Sequence, residues 1–222
     1  MPSPVTITSL SVPARPRVEA LLSRIDPVRG RLVFALDATA SRQPTWDTAA
    51  QLQADMFQAV AAIGGLDVQL VYYRRFECQA SHWLSDAARL GRMMARISCQ
   101  SGFTQIGNVL THARKENELQ KVHALVFVGD AVEEKPSSLY AIARELNVPA
   151  FLFLEGDDKH AAQVFGEIAK VTGGATSTFN AGAGQRLADL LKAVAAFATG
   201  GVKALASQQT EAARLLLTQI RK

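Results

Sequence analysis

The sequence predicts an α/β fold, a Rossmann-like three-layer α/β/α sandwich around a mostly parallel sheet. Three observations predict it. Short apolar runs recur at Leu32–Leu36, Val68–Tyr73, Ala124–Val128 and Ala150–Leu154. Stretches with apolar residues at helical spacing separate these runs, and strands alternating with amphipathic helices build a parallel sheet covered on both faces. The first run, Leu32-Val33-Phe34-Ala35-Leu36, shows no polar alternation, which marks a strand buried on both sides.

Residues 1–30 read as an arm and a short helix. The first 17 residues carry four prolines and form an extended segment in which Val5, Ile7, Leu10 and Val12 offer docking side chains. A helix over Arg17–Ile25 ends at Asp26-Pro27, because proline disfavours the helical conformation in the residue before it. The main domain spans 31–199. After its first strand, Thr45–Ile63 is a helix with Leu52, Met56, Phe57, Val60 and Ile63 on one side, stopped by Gly64-Gly65. The second strand covers Val68–Tyr73, and residues 78–83 return as a short antiparallel edge strand. Helices follow over Asp86–Ile97, capped by Ser85 or Asp86, and over Gln105 to about Lys121. The strand at 124–128 precedes a helix within Ser137–Leu146, a buried strand at 150–154 and a helix over 158–171 that stops at Gly173-Gly174. Thr176–Phe179 makes a short last strand, and a helix over Gln185–Phe197 runs to Gly200-Gly201. Residues 200–222 form a C-terminal helix, Val202–Ile220, with Val202, Leu205, Ala212, Leu216 and Ile220 as a sparse stripe.

Bulk properties narrow the functional classes. A chain of 222 residues, 48% hydrophobic, suffices for one domain whose core needs neither disulfides nor structural metal. The two cysteines, Cys78 and Cys99, match no zinc or redox spacing and read as ordinary thiols. The opening has neither a basic start nor an apolar core of signal-peptide length, and no apolar stretch approaches membrane-spanning length. A cytoplasmic location is therefore expected. The net charge of +4 is modest, and its arginines lack the aromatic interleaving of a nucleic-acid surface. No phosphate loop or dinucleotide fingerprint occurs.

Two apolar runs end in aspartate. The first leads into Asp37-Ala38-Thr39-Ala40-Ser41, and the run at 124–128 leads through Gly129 into Asp130. Between them lies Gly102-Phe103-Thr104-Gln105-Ile106-Gly107. In open parallel sheets ligands sit beyond the carboxyl ends of strands, near a topological switch point. If both runs are parallel strands, two carboxylates and three hydroxyls therefore share one crevice, and such hard oxygen donors hold a divalent cation such as Mg²⁺.

Asp37-x-Thr39-x-Ser41, Thr104 and Asp130 resemble the metal-ion-dependent adhesion site of von Willebrand factor A domains. The resemblance covers roughly residues 31–199 in the correct order, and Ile168–Gly174 is similar to the family's usual ending. Two departures stand out: Thr39 replaces the usual serine, and Arg42-Gln43-Pro44 replaces the small residues that commonly follow the second one. The first keeps the hydroxyl, and the second alters the rim that a ligand meets. The resemblance implies a vWA-like fold and a Mg²⁺ site, with Mn²⁺ or Ca²⁺ as alternatives. Asp37, Thr39, Ser41, Thr104 and Asp130 would be its metal residues, with the carboxylates binding directly or through retained waters. It further implies a non-catalytic interaction module whose protein partner offers an Asp or Glu to the metal. Intracellular relatives often work beside large ATPases, so an ATPase-containing assembly is the implied setting, without membrane or nucleic acid.

The remaining polar residues read as structural. His82, His112, His123 and His160 lack ligand spacing, and Glu133-Glu134-Lys135-Pro136 reads as a solvated acidic turn, with a rim role for Glu133 as the alternative. Two competing functions stay open. One is a Mg²⁺-dependent phosphatase or phosphotransferase using Asp37 as nucleophile, although Ala38 and Thr39 fit neither usual pattern for it. The other is a scaffold that assembles through its terminal segments, with self-association through the 202–220 helix.

Overall fold

A computed structural model of the chain describes residues 29–42, 65–180 and 184–220. The expected arm, its short helix and the helix over 45–63 lie outside these residues. Six strands form one sheet: β1 (Gly30–Asp37), β2 (Leu66–Arg74), β3 (Glu77–Ala80), β4 (Ala124–Gly129), β5 (Ala150–Glu155) and β6 (Ala175–Phe179), in the order β3-β2-β1-β4-β5-β6. All neighbours are parallel except β2 and β3, which pair antiparallel at one edge. The three-layer, mostly parallel architecture with one short antiparallel edge strand is as the sequence predicts.

The described helices are α1 (Ala87–Met94), α2 (Ile106–Leu119), α3 (Pro136–Glu145), α4 (Lys159–Thr172), α5 (Gly184–Ser207) and α6 (Glu211–Ile220). Strand alternation divides the core between two faces. Leu32, Phe34 and Leu36 of β1 pack with Leu90 of α1, Leu190 and Val194 of α5 and Leu216 of α6. Val33 and Ala35 pack on the other face with Val109 of α2, Leu139 of α3 and Phe165 of α4. That two-sided burial is why the run lacks alternation.

β1 is the switch point, because the chain leaves it toward β2 on one side and β4 lies on the other. Register then fixes what meets at the carboxyl edge. Asp37 stands opposite Tyr73 on β2, and Leu36 opposite Val128 on β4, so Gly129 lies beside Asp37. A Cβ on Gly129 would meet the Phe127 ring at 2.8 Å, so glycine there leaves room for that ring beside the strand end that leads into Asp130.

At the opposite sheet edge a polar network anchors α2. The buried Arg31 guanidinium lies 3.7 Å from the Trp83 ring centroid and donates to the Gln120 carbonyl at 2.6 Å. Trp83 Nε1 donates to Glu116 at 2.8 Å, and His112 is 2.8 Å from Gln69 Oε1. Three residues, Arg31, Trp83 and Gln69, thus hold the distal half and end of the helix whose N-terminus builds the candidate site.

Two expectations are corrected in the C-terminal region. The helix expected over 202–220 is broken: Gln209 takes φ 51°, and the Thr210 hydroxyl accepts from Ala213 N at 3.1 Å, capping a new helix, α6. No apolar stretch was expected to approach spanning length, yet α5 is long and apolar enough by composition to cross a membrane. Non-helical Gly200 and Gly201 kink it, and its apolar face, with Leu187, Leu190, Leu191 and Val194, is buried in the core. α6 also seals edge strand β6. The Gln219 amide accepts from Thr176 N and donates to Thr176 O, both at 2.9 Å, as a neighbouring strand residue would.

Two outcomes follow from these contacts. Gln219→Ala should cost about 1 kcal/mol in denaturant unfolding and speed hydrogen exchange at the Thr176 amide, with no change at the β1 amides. His112 is held below the ordinary imidazole value, mainly by burial, although Glu116 opposes the shift. The unfolded chain then binds the extra proton first, so His112's contribution is present above the ordinary value of 6.5 and lost as pH falls below it. Urea melts at a series of pH values should show that slope, and His112→Gln should flatten it.

Candidate metal centre

The first loop of the site is shaped by Asp37 itself. The side chain is fully buried at the end of β1, where Oδ1 accepts from Thr39 N at 2.7 Å. This bond folds the chain back so that the Thr39 hydroxyl stands 3.1 Å from that of Ser41, which lies within the short 3₁₀ turn Ala40–Arg42. Backbone bonds Ala38 N to Tyr73 O and Gln100 N to Ala38 O, each 3.0 Å, tie that turn to both flanking segments. Asp37 Oδ2 accepts from the Tyr73 hydroxyl at 2.9 Å. Tyr73 was not among the expected site residues. Only the β1–β2 register brings it there, and an apolar strand run carries no signal of register.

Asp130 enters from the next strand. Its Oδ1 is buried and has no hydrogen-bond partner among the described residues. Such an atom is costly unless something outside the protein chain satisfies it. Burial pushes the Asp37 carboxyl above the ordinary value, the Asp130 charge pushes it further, and the bonds from Thr39 and Tyr73 oppose both. Two carboxylates so placed form a site of surplus negative charge.

The third loop is stitched to the Asp130 loop. Thr104 N donates to Glu133 Oε2 at 2.8 Å, while Glu133 N donates to Thr104 Oγ1 at 3.0 Å. The next residue, Glu134, accepts from Ile106 N and Gly107 N at 2.6 and 2.8 Å and so caps α2 from a distant loop. Burial raises the Glu134 carboxyl, and the two backbone N–H groups hold it down. The expectation of a solvated acidic turn is thus corrected: Glu133 is exposed, but both carboxylates grip backbone amides that α2 and its entry leave without intrahelical partners. A capping carboxylate supplied 28 residues downstream of Ile106 leaves no local sequence signature.

All five expected residues, Asp37, Thr39, Ser41, Thr104 and Asp130, line one cleft of about 260 Å³, with Ser101, Gly102 and Glu133 on its walls. The four histidines contribute nothing to it, and among the described residues, this cleft included, no group of three or more His, Cys, Asp or Glu side chains that could hold a metal forms, so any ion here would depend on the hydroxyls as well. The donors fit a hard divalent cation: two carboxylates supply charge, three hydroxyls supply neutral oxygens, and one buried carboxylate oxygen lacks a protein partner.

No protein-family model matches the chain, and no curated protein matches its sequence. Similarity appears in structure. A von Willebrand factor type A protein from Catenulispora acidiphila superposes with a TM-score of 0.63 at 17% identity, over 78% of this chain and 43% of that one. The present chain therefore spans less than half of that protein's length. The vWF domain of the type V pili tip protein Mfa5 from Porphyromonas gingivalis gives 0.55 at 11% identity, over 77% and 95% of the two chains. The SpRpn10 VWA domain gives 0.58 at 11% identity, over 72% and 95%. At these identities the likeness concerns the backbone, and it is consistent: the fold is that of von Willebrand factor A domains.

Proposed function

We propose that this domain is a non-catalytic, cytoplasmic interaction module that binds an acidic protein partner through Mg²⁺ held by Asp37, Thr39, Ser41, Thr104 and Asp130. The observation that carries the reading is the buried, unpartnered Asp130 Oδ1 in a cleft shared with Asp37 and the three hydroxyls. Asp37 is held rigid by Thr39 N and the Tyr73 hydroxyl, and each carboxylate oxygen keeps a lone pair for the ion or for a water on it. Thr39 and Ser41 orient one another, and Glu133 fixes Thr104 through its backbone. Two carboxylates roughly neutralise a divalent ion, and the hydroxyls add no charge. An ion held by these residues would offer a Lewis-acidic position to a partner's Asp or Glu. Mn²⁺ or Ca²⁺ are the alternative ions, and an ATPase-containing assembly is the setting carried over from the resemblance. A nucleophilic role for Asp37 is disfavoured, because Ala38 and Thr39 after it fit neither usual pattern for a phosphoryl-accepting aspartate.

Calorimetry should show one Mg²⁺ site, and Asp37→Ala should abolish it. At an ion concentration a hundredfold above Kd the fold should gain about 2.7 kcal/mol. Asp130→Asn should act with opposite signs: it raises metal-free stability by about 1 kcal/mol by removing a charge that repels the buried Asp37 carboxylate, and it eliminates the Mg²⁺-dependent gain. Tyr73→Phe should leave the fold intact and weaken Mg²⁺ about tenfold, the usual effect of losing an outer hydrogen bond to a ligand. A wild-type chain that binds neither Mg²⁺ nor Mn²⁺ would overturn the reading.

A further inference from the structure

Beside the cleft the surface carries two exposed aromatic rings, Phe76 at 86% and Phe103 at 63%. The other exposed large apolar residues among those described lie elsewhere: Leu119 and Val171 at the far ends of α2 and α4, and Val202 on α5. Phe103 sits between Gly102 and Thr104, both of which line the cleft. Phe76 is in the two-residue turn joining β2 to β3. These segments are locked together. A Cβ on Gly102 would fall 2.4 Å from Arg75 N, so only glycine permits the contact, and Gln105 Nε2 donates to the Arg75 carbonyl at 3.3 Å. The two backbone segments that carry these rings are therefore pinned to one another, and the Phe103 segment runs along the rim of the site.

The ridge they form also carries two arginines, Arg74 and Arg75, against one acid, Glu77. Arg75 is exposed next to Phe76, and Arg74 donates to the Ser98 carbonyl and hydroxyl, each at 3.1 Å. The nearby Glu77 carboxylate accepts from Gln79 within β3 at 2.8 Å. Arg75 holds φ 52° in a tight hairpin turn, where glycine or asparagine is the ordinary choice. A single exposed phenylalanine needs no explanation. Two of them on a rigid ridge, flanked by arginine and bordering a cleft of carboxylates and hydroxyls, amount to a preorganised apolar surface.

We propose that this ridge is the specificity half of the docking surface: it receives a partner-protein segment whose aromatic or aliphatic side chain covers Phe76 and Phe103, whose second acidic residue approaches Arg75, and whose adjoining carboxylate enters the cleft. The place of that carboxylate rests on the metal-bridged reading above. The apolar contact belongs to this chain's own residues. Cleft chemistry alone selects for an acid; the ridge selects among acids by their neighbour, and its positive charge favours an acidic segment over a neutral apolar one.

The test is a random-heptapeptide phage library panned on the full chain with excess MgCl₂, in parallel with panning on a Phe76→Ser/Phe103→Ser double variant. Mg²⁺ calorimetry and light scattering are run on both proteins. Selected peptides should carry Asp or Glu with an aromatic or aliphatic residue within two positions. Synthetic versions should bind the double variant about tenfold more weakly, or about 1.4 kcal/mol, at unchanged Mg²⁺ affinity. Arg75→Glu should weaken them as well. Selection of acidic peptides without an apolar neighbour, equal binding to the double variant, or no selection by a Mg²⁺-binding wild type would each overturn the inference and leave the metal reading standing. Absent Mg²⁺ binding would instead defeat the metal reading, which calorimetry reads separately. A drop in oligomeric state on the double substitution would identify the ridge as a contact between copies of this chain and overturn the proposal.

Discussion

Adjacent parallel strands that lead into Asp37 and Asp130 place a severe electrostatic constraint on this fold. Asp37 is fully buried, and the β1–β4 register brings Gly129, and hence Asp130, to its side. Charges removed from water cost several kcal/mol each unless partners replace the lost hydration. The chain supplies such partners to Asp37 in Thr39 N and the Tyr73 hydroxyl. It leaves one oxygen of Asp130 without any among the described residues. Much of the surrounding architecture can be understood as support for this imbalance.

That support is non-local. Tyr73 comes from β2, the Asp130 loop holds Thr104 through Glu133, and Glu134 caps α2 four residues beyond Asp130. At the far sheet edge Arg31, Trp83 and Glu116 fix the other end of the same helix. Each loop of the cleft is therefore held by a neighbour, and a rigid donor set loses little entropy when it closes on an ion or a partner. The Phe76–Phe103 ridge shares this rigidity through the Gly102–Arg75 contact.

Features written in local pattern were legible in the sequence. The apolar runs of β1, β4 and β5 and the cap of α1 at Asp86, which accepts from Ala88 N and Arg89 N, appear where the pattern places them. The five oxygen-bearing residues converge because parallel topology brings strand ends to one edge, a consequence that order alone can supply. What escaped was set by register or by distant loops. Tyr73 reads as one more apolar strand residue, Glu134 as a solvated turn, and Gln219 as an ordinary helix position. In the folded chain each satisfies a polar group far away in sequence. The break at Gln208–Thr210 leaves no mark in the pattern, because the apolar stripe resumes in phase beyond it. The residues there are helix-tolerant, and only the Thr210 cap and the return of α6 onto β6 decide the matter.

The central claim is that the orphaned Asp130 oxygen and its neighbours await a hard cation. Anomalous diffraction from crystals grown with Mn²⁺ tests it most directly. The account predicts a peak inside the cleft, about 2.1 Å from at least two of the Thr39, Ser41 and Thr104 hydroxyls, that disappears in Asp37→Ala crystals. A cleft without a peak, with Asp130 Oδ1 hydrogen-bonded to a protein donor instead, would contradict it.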